Sequence, residues 1–138
     1  MAARRFPIRI GRRSRILVRL AFGATPETAW AEIDEGMLVA HFGRFTFRTE
    51  FANIARWRIE GPFIWIRAIG VRRSIRHGDV SFAGSPHGGV RMDFHRAVRW
   101  TAFDVPAFYV GADDLEGFAA ALAAAGIPGE DARTAIRR

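Results

Sequence analysis

Short apolar runs that alternate with polar residues constrain the fold of this chain more than any other feature. Apolar residues occupy every second position in 16–22, 29–34 and 89–95, and a period of two is typical of strands with one buried face. Glycine and proline interrupt these runs at short intervals, as they do at the turns between strands. The pattern therefore predicts a mainly β domain.

The period changes near the end of the chain, where one helix is predicted over about 113–125. Its apolar stripe recurs at helical spacing and consists of Leu115, Phe118, Ala119, Leu122 and Ala125. Asp113 is the expected N-cap, with Glu116 at the capping-box position three residues later. Gly126 and Pro128 stop the helix.

Together these elements predict a small β-barrel or roll of about 7–9 short antiparallel strands, capped at one open end by the C-terminal α-helix. The length of 138 residues and an apolar content of 49% suit one globular domain. We assign this domain to residues 15–128. Residues 129–138 are predicted to be a polar, frayed tail.

The positive charge of the chain is concentrated at its N-terminus. The net charge is +7; seven arginines precede the first acidic residue, Glu27. Beyond them the 14 remaining arginines match the 14 acidic residues in number. The excess charge therefore belongs to a predicted basic, mobile arm over residues 1–14 and to the start of the first ordered segment, and the rest of the body is balanced, which argues against nucleic-acid binding by the body.

Four arginines form the first candidate binding surface. Arg44, Arg48, Arg56 and Arg58 are predicted to project from one face of two adjacent strands. The surface is either a solvated sheet face, where arginine stems cover apolar area, or a site for an anion or a partner.

An apolar segment with neighbouring arginines forms the second candidate surface, within and just after a predicted loop over residues 61–70. Its residues are Phe63, Ile64, Trp65, Arg67, Arg72 and Arg73. The loop either folds over a barrel end or exposes an aromatic anchor for a membrane or a partner.

No motif in the sequence predicts catalysis, a metal or a cofactor. Cysteine is absent, which excludes thiol chemistry and cysteine-ligated metals. Ser85, His87 and Asp93 lack the G-x-S-x-G frame of a hydrolase, and a metal site from His77, Asp93 and His95 would need ligands that converge from separate strands. Without lysine there is no Walker A loop. We therefore expect a protein that is not an enzyme.

Several segments resemble bacterial PH-like (pleckstrin-homology-like) domains, in particular a group of uncharacterised bacterial proteins. The similarity covers roughly residues 28–126 and rests on segments 35–43, 54–57, 61–65, 69–70, 80–83, 89–90 and 113–122. The resemblance implies a PH-like scaffold. PH-like folds commonly bind phosphoinositides, peptides or proteins, and the fold alone transfers no site.

The leading functional prediction is a binding module that recognises a protein partner or associates with itself. The alternative is peripheral binding to anionic lipid at the inner face of the membrane, through the arginine-rich arm and the loop 61–70. Nonspecific nucleic-acid binding by the arm is a weaker alternative. A short apolar run at 16–18 is no signal peptide, and no stretch is long enough to cross a bilayer, so the expected compartment is the cytoplasm.

Overall fold

The computed structural model of the chain describes residues 4–61, 69–73 and 78–133. The described residues form ten strands and two α-helices, with a short 3₁₀ turn at Phe51–Asn53. The strands are β1 Arg4–Pro7, β2 Ala29–Asp34, β3 Met37–Phe42, β4 Phe45–Glu50, β5 Ile54–Glu60, β6 Gly70–Arg73, β7 Val80–Ala83, β8 Gly89–Trp100, β9 Phe103–Val110 and β10 Gly129–Asp131. The helices are α1 Arg15–Phe22 and α2 Leu115–Ala124.

The strands form two sheets, and the described strands do not close into a barrel. The first sheet has the order β1-β2-β3-β4, and the second has the order β10-β5-β8-β9-β7-β6. Two pairs in the second sheet, β5 with β10 and β7 with β9, are parallel. The mainly β class is confirmed; of the predicted barrel or roll, the closed barrel is wrong, and so is the wholly antiparallel arrangement. Alternation along a strand reveals its buried face but not its neighbour, so these features could not be read from the pattern.

Phenylalanine side chains join the two sheets across the core. The rings of Phe47, on β4, and Phe108, on β9, stack with centroids 4.2 Å apart and planes 4° from parallel. Phe82 packs edge-on against Phe108 at 4.9 Å. All three side chains are fully buried, and aromatic pairs of this kind contribute about 0.5–1.5 kcal/mol beyond the area they bury.

The N-terminal segment is part of the domain from Arg4 onward, so the prediction of a mobile arm over residues 1–14 is wrong for residues 4–14. Phe6 and Ile8 are 6% and 3% exposed. The backbone of β1 pairs with β2, and then Arg9 N donates to Gly111 O at 3.0 Å and Gly11 N to Gly84 O at 2.8 Å. The segment therefore bonds to both sheets. The alternating apolar residues Phe6 and Ile8 indicate a strand, but the many arginines around them are more typical of a mobile arm.

Residues 16–22, predicted as the first strand, belong to helix α1 (Arg15–Phe22). Gly23 ends the helix in the left-handed conformation at φ 72°, and its N–H bonds back to Arg19 O, which is a common C-cap for glycine. Val18 and Phe22 lie four residues apart and face the body. In so short a segment an alternating pattern fits a helix as well as a strand, and Leu, Arg and Ala favour the helix.

Helix α2 is shorter than the predicted 113–125, and its N-cap is Asp114 rather than Asp113. The Asp114 carboxylate accepts a hydrogen bond from Gly117 N at 2.9 Å, while Asp113 pairs with Arg9 at 2.5 Å. The segment after α2 is not a frayed tail throughout, because 129–131 form β10 beside β5. The indole of Trp57 fastens this strand by donating to Ile127 O at 2.9 Å.

Candidate functional site

Helix α1 carries three of the four large apolar side chains that are exposed on the described surface. Ile16, Leu17 and Leu20 are 72%, 47% and 74% exposed, whereas Val18 between them is fully buried. Two residues along a helix correspond to a rotation of about 200°, so Ile16 and Leu20 point away from the body that Val18 contacts. Scattered single apolar residues are ordinary on a surface, whereas exposed apolar residues grouped together make a candidate interaction site.

Arginines border this apolar cluster. Arg12, Arg13, Arg15 and Arg19 are all exposed, and the first turn of α1 holds no acidic residue. We call these four arginines, together with Ile16, Leu17 and Leu20, the α1 surface. It combines an apolar ridge with a positively charged border, the arrangement of helices that lie at an anionic interface.

Helix α1 is fixed to the body at its C-terminal end. The guanidinium of Arg44 donates to Ala21 O at 2.8 Å, which satisfies a carbonyl in the last turn of the helix. The ring of Phe22 lies 6.0 Å from those of Phe42 and Phe45, centroid to centroid. The backbone N–H of Arg44 also bonds to Phe22 O at 3.0 Å. The α1 surface is therefore held on a packed base.

The first predicted site is divided between the two sheets. Arg44 and Arg48 belong to the first sheet or its turn, whereas Arg56 and Arg58 lie on β5 in the second. The prediction that the four share one face of adjacent strands is therefore wrong, since consecutive strands β4 and β5 do not pair. Arg44 instead caps α1.

On β5, Arg56 and Arg58 belong to a network of charges on the outer face of the second sheet. We call this network the polar cluster; its members are Arg56, Arg58, Glu60, Asp79, Arg91, Asp93 and Tyr109. The ion pairs are Arg56–Asp93 at 3.1 Å, Arg58–Glu60 at 2.7 Å, Arg91–Asp79 at 2.5 Å and Arg91–Asp93 at 3.0 Å. The three arginines and three carboxylates balance, so the cluster holds the strands together and offers no excess charge to an anion.

Tyr109 completes the polar cluster by donating its hydroxyl hydrogen bond to Glu60. Burial of the phenol raises its pKa above the usual value, and the hydrogen bond to Glu60 and the negative charge of that carboxylate raise it further. Arg58 Nε lies within ion-pair distance of Glu60 but is not aligned for a hydrogen bond with it. The phenol therefore stays neutral in the folded protein over the ordinary pH range.

The second predicted site is only partly within the described residues. Phe63, Ile64, Trp65 and Arg67 lie outside them. Arg72 and Arg73 are exposed on β6, and the guanidinium of Arg73 lies over the ring of Phe103 at 4.2 Å from its centroid.

The side chains considered for hydrolysis do not form a catalytic arrangement. Ser85 Oγ accepts a hydrogen bond from the backbone N–H of His87 at 3.4 Å, and His87 Nε2 lies 2.7 Å from Ala112 O. Asp93 is bound by Arg56 and Arg91 instead of the histidine. Among the described residues, no three His, Asp or Glu side chains are grouped to hold a metal ion.

The sequence pattern does not predict the α1 surface, because the alternation in 16–22 indicates a strand. The available signal was the pair of four-residue spacings, Ile16 to Leu20 and Val18 to Phe22, which place two apolar groups on opposite sides of a helix. No family model, curated protein or solved structure matches the chain. Neither described helix has the length and apolar character that a bilayer crossing requires.

Proposed function

We propose that this protein is a non-catalytic binding module that attaches to anionic membrane surfaces through the α1 surface. The observation that carries the proposal is the exposure of Ile16 and Leu20, at 72% and 74%, within a border of arginines. Such a helix lies in the plane of the interface, with its apolar side chains among the acyl chains and its cations at the headgroups.

The free energies that the arginines and the apolar side chains contribute are of the size expected for reversible attachment to a membrane. Each arginine near an anionic leaflet contributes about 1 kcal/mol. Each large apolar side chain that leaves water contributes about 1.5–3 kcal/mol when it is fully buried. Neither contribution alone anchors a protein stably, but together they support a dissociable complex.

A second copy of the protein matches the chemistry of the α1 surface less well than an anionic bilayer does. A twofold dimer would place the same patch of both copies together, and the arginines around Ile16 and Leu20 would then face one another without an acidic residue in the first turn of α1. A nucleic acid would satisfy the arginines, but it would leave the apolar ridge without a matching partner. A bilayer with anionic headgroups satisfies both.

A PH-like scaffold remains part of the proposal. Two sheets and the helix α2 near the C-terminus support it, whereas the parallel pairs β5–β10 and β7–β9 depart from the expected antiparallel arrangement. The membrane proposal depends on the α1 surface and not on this relationship.

Vesicle sedimentation tests the proposal directly. We expect the protein to pellet with vesicles of equal parts phosphatidylglycerol and phosphatidylcholine but not with phosphatidylcholine alone. Ile16→Ser/Leu20→Ser should reduce pelleting about tenfold or more, given the transfer energy of two large side chains. Both positions are exposed, so the variant should remain folded by circular dichroism.

Charge-reversal variants on and off helix α1 distinguish attraction by the α1 surface from attraction by the overall charge of the protein. Arg15→Glu/Arg19→Glu should abolish pelleting, while the charge-matched control Arg48→Glu/Arg96→Glu, at exposed positions of other elements, should retain most of it. Equal loss in both variants, or no pelleting by the unaltered protein, overturns the proposal. Failure with vesicles would favour an acidic protein partner for the same surface.

A further inference from the structure

Phe103 is the only other large apolar side chain that is exposed on the described surface. It is 41% exposed and follows the turn of the β8–β9 hairpin, where Trp100 pairs with Phe103. Thr101 in this turn has φ 52°. The tight turn presents the phenylalanine ring at the end of the second sheet.

The surroundings of Phe103 repeat the chemistry of the α1 surface. The Arg73 guanidinium lies 4.2 Å from the centroid of its ring, so a cation covers one face of an exposed aromatic group. Arg99, one residue before Trp100, is 68% exposed and forms a 3.4 Å ion pair with Asp104. An apolar group with nearby arginines thus recurs at a second position.

Strand β6 links this position to helix α1. Gly70, at one end of β6, lies against the ring of Phe22 at the end of α1, and Arg73, at the other end, lies over Phe103. Four strand residues span about 10 Å. A second chain of contacts runs through Phe45. The centroid of its ring lies 6.0 Å from that of Phe22 and 6.3 Å from that of Trp100. Two short chains of contacts therefore connect the hairpin tip to the C-terminal end of α1.

We propose that Phe103 and Arg73 form a second membrane contact, so that the domain binds an anionic bilayer at two points and in one orientation. This inference rests on the proposed function, since α1 provides the first contact. A protein with two linked membrane contacts stays bound longer than a protein with either contact alone, because the second contact forms intramolecularly once the first has formed.

Fluorescent labels at single cysteines test this orientation. The chain has no cysteine, so Ile16→Cys, Phe103→Cys and Asp34→Cys each provide one attachment point for an environment-sensitive nitrobenzoxadiazole dye. Asp34 pairs with Met37 at the far end of the first sheet from the Phe42–Phe45 turn that holds α1. With anionic vesicles, we expect a blue shift at 16 and 103 but none at 34.

Each pattern of labels has one meaning. A shift at 16 alone overturns the second contact and leaves the proposed function standing. Shifts at all three positions overturn the single orientation, and no shift at any position overturns both proposals. An unlabelled pair provides a second measurement: Phe103→Ser should weaken partitioning into the same vesicles about fivefold, whereas Ala102→Ser, in the same exposed turn, should leave it unchanged.

Discussion

The ring of Tyr109 lies directly over Gly89 on the neighbouring strand. A Cβ atom added to Gly89 would lie 2.7 Å from Cδ1 and 3.0 Å from Cε1 of the tyrosine. The ring crosses from β9 over β8, and its hydroxyl then reaches Glu60 on β5. One side chain thus ties three strands together, and the absence of a side chain at residue 89 makes this possible.

We expect Gly89→Ala to destabilise the protein by about 1–3 kcal/mol, the usual cost of overpacking. The added methyl group would displace the ring and break its hydrogen bond to Glu60. Urea denaturation measures the free energy of unfolding. Gly11→Ala is the matched control, because its Cβ would make only ordinary contacts, the nearest at 3.5 Å from Gly84 O. Equal stability of the two variants would contradict the proposed packing.

Alkaline titration should show Tyr109 to be protected from ionisation. Burial and the bond to Glu60 raise its pKa, so its stabilising effect is complete below the unfolded value of about 10 and is lost as the pH rises above it. Tyr109 is the single tyrosine of the chain, which makes the tyrosinate absorbance near 295 nm unambiguous. We expect this absorbance to rise only together with unfolding.

A normal tyrosine titration in the folded state would be inconsistent with the buried hydrogen bond. The variant Tyr109→Phe provides the control, since it keeps the ring over Gly89 and removes the hydroxyl. It should lower the free energy of unfolding by about 1–2 kcal/mol at neutral pH and should weaken the loss of stability above pH 10.

His87 should make the protein less stable in mild acid. Burial lowers its pKa from 6.5, although the hydrogen bond to Ala112 acts in the opposite direction. The contribution of this group to stability is therefore present above about pH 6.5 and is lost as the pH falls through the lower, folded-state value. We expect the free energy of unfolding to fall between pH 7 and pH 5.

The variant His87→Gln isolates this contribution, because its amide can still donate to Ala112 O but does not titrate. Its stability should vary less over the same pH interval. The remaining slope should include His41, whose pKa is also lowered by burial and by the charges of Arg48 and Arg5. An unchanged slope in His87→Gln would argue against the assignment.

Phe6→Ala should destabilise the protein by about 3–5 kcal/mol, the usual cost of removing a buried phenylalanine ring. The ring packs edge-on against Phe118 of α2 at 5.2 Å, so it joins β1 to the helix. The melting temperature of Phe6→Ala is compared with that of Arg12→Ala, a variant at an exposed position close by in sequence. If both variants melted like the unaltered protein, the N-terminal segment would not be part of the core.

The sequence predicted strands well where charged residues alternate with apolar ones. In strand β8, buried Val90 and Met92 alternate with Arg91 and Asp93, and the sequence pattern shows this directly. The identity of the neighbouring strand depends on side chains far apart in the chain, as when Phe47 stacks on Phe108. The sheet to which β4 and β5 belong could not be inferred for this reason.

The candidate site was harder to predict because its signal is brief. Eight residues of α1 contain too few turns to distinguish a helix from a strand by periodicity. The deciding feature is Gly23, whose left-handed conformation ends the helix. The sequence shows the concentration of arginines directly, but their placement beside Ile16 and Leu20 depends on the helical geometry.

Residues 8–11 form backbone contacts with segments that are synthesised much later, at Gly84, Gly111 and Ala112. Arg9 pairs with Asp113, 104 positions later in the chain, and its N–H bonds to Gly111. During synthesis, residues 8–11 therefore reach their final positions only after residues 111–113 have been made. Contacts so distant in sequence slow folding, so we expect Phe6 and Ile8 to stay exposed to chaperones until that part of the chain is present.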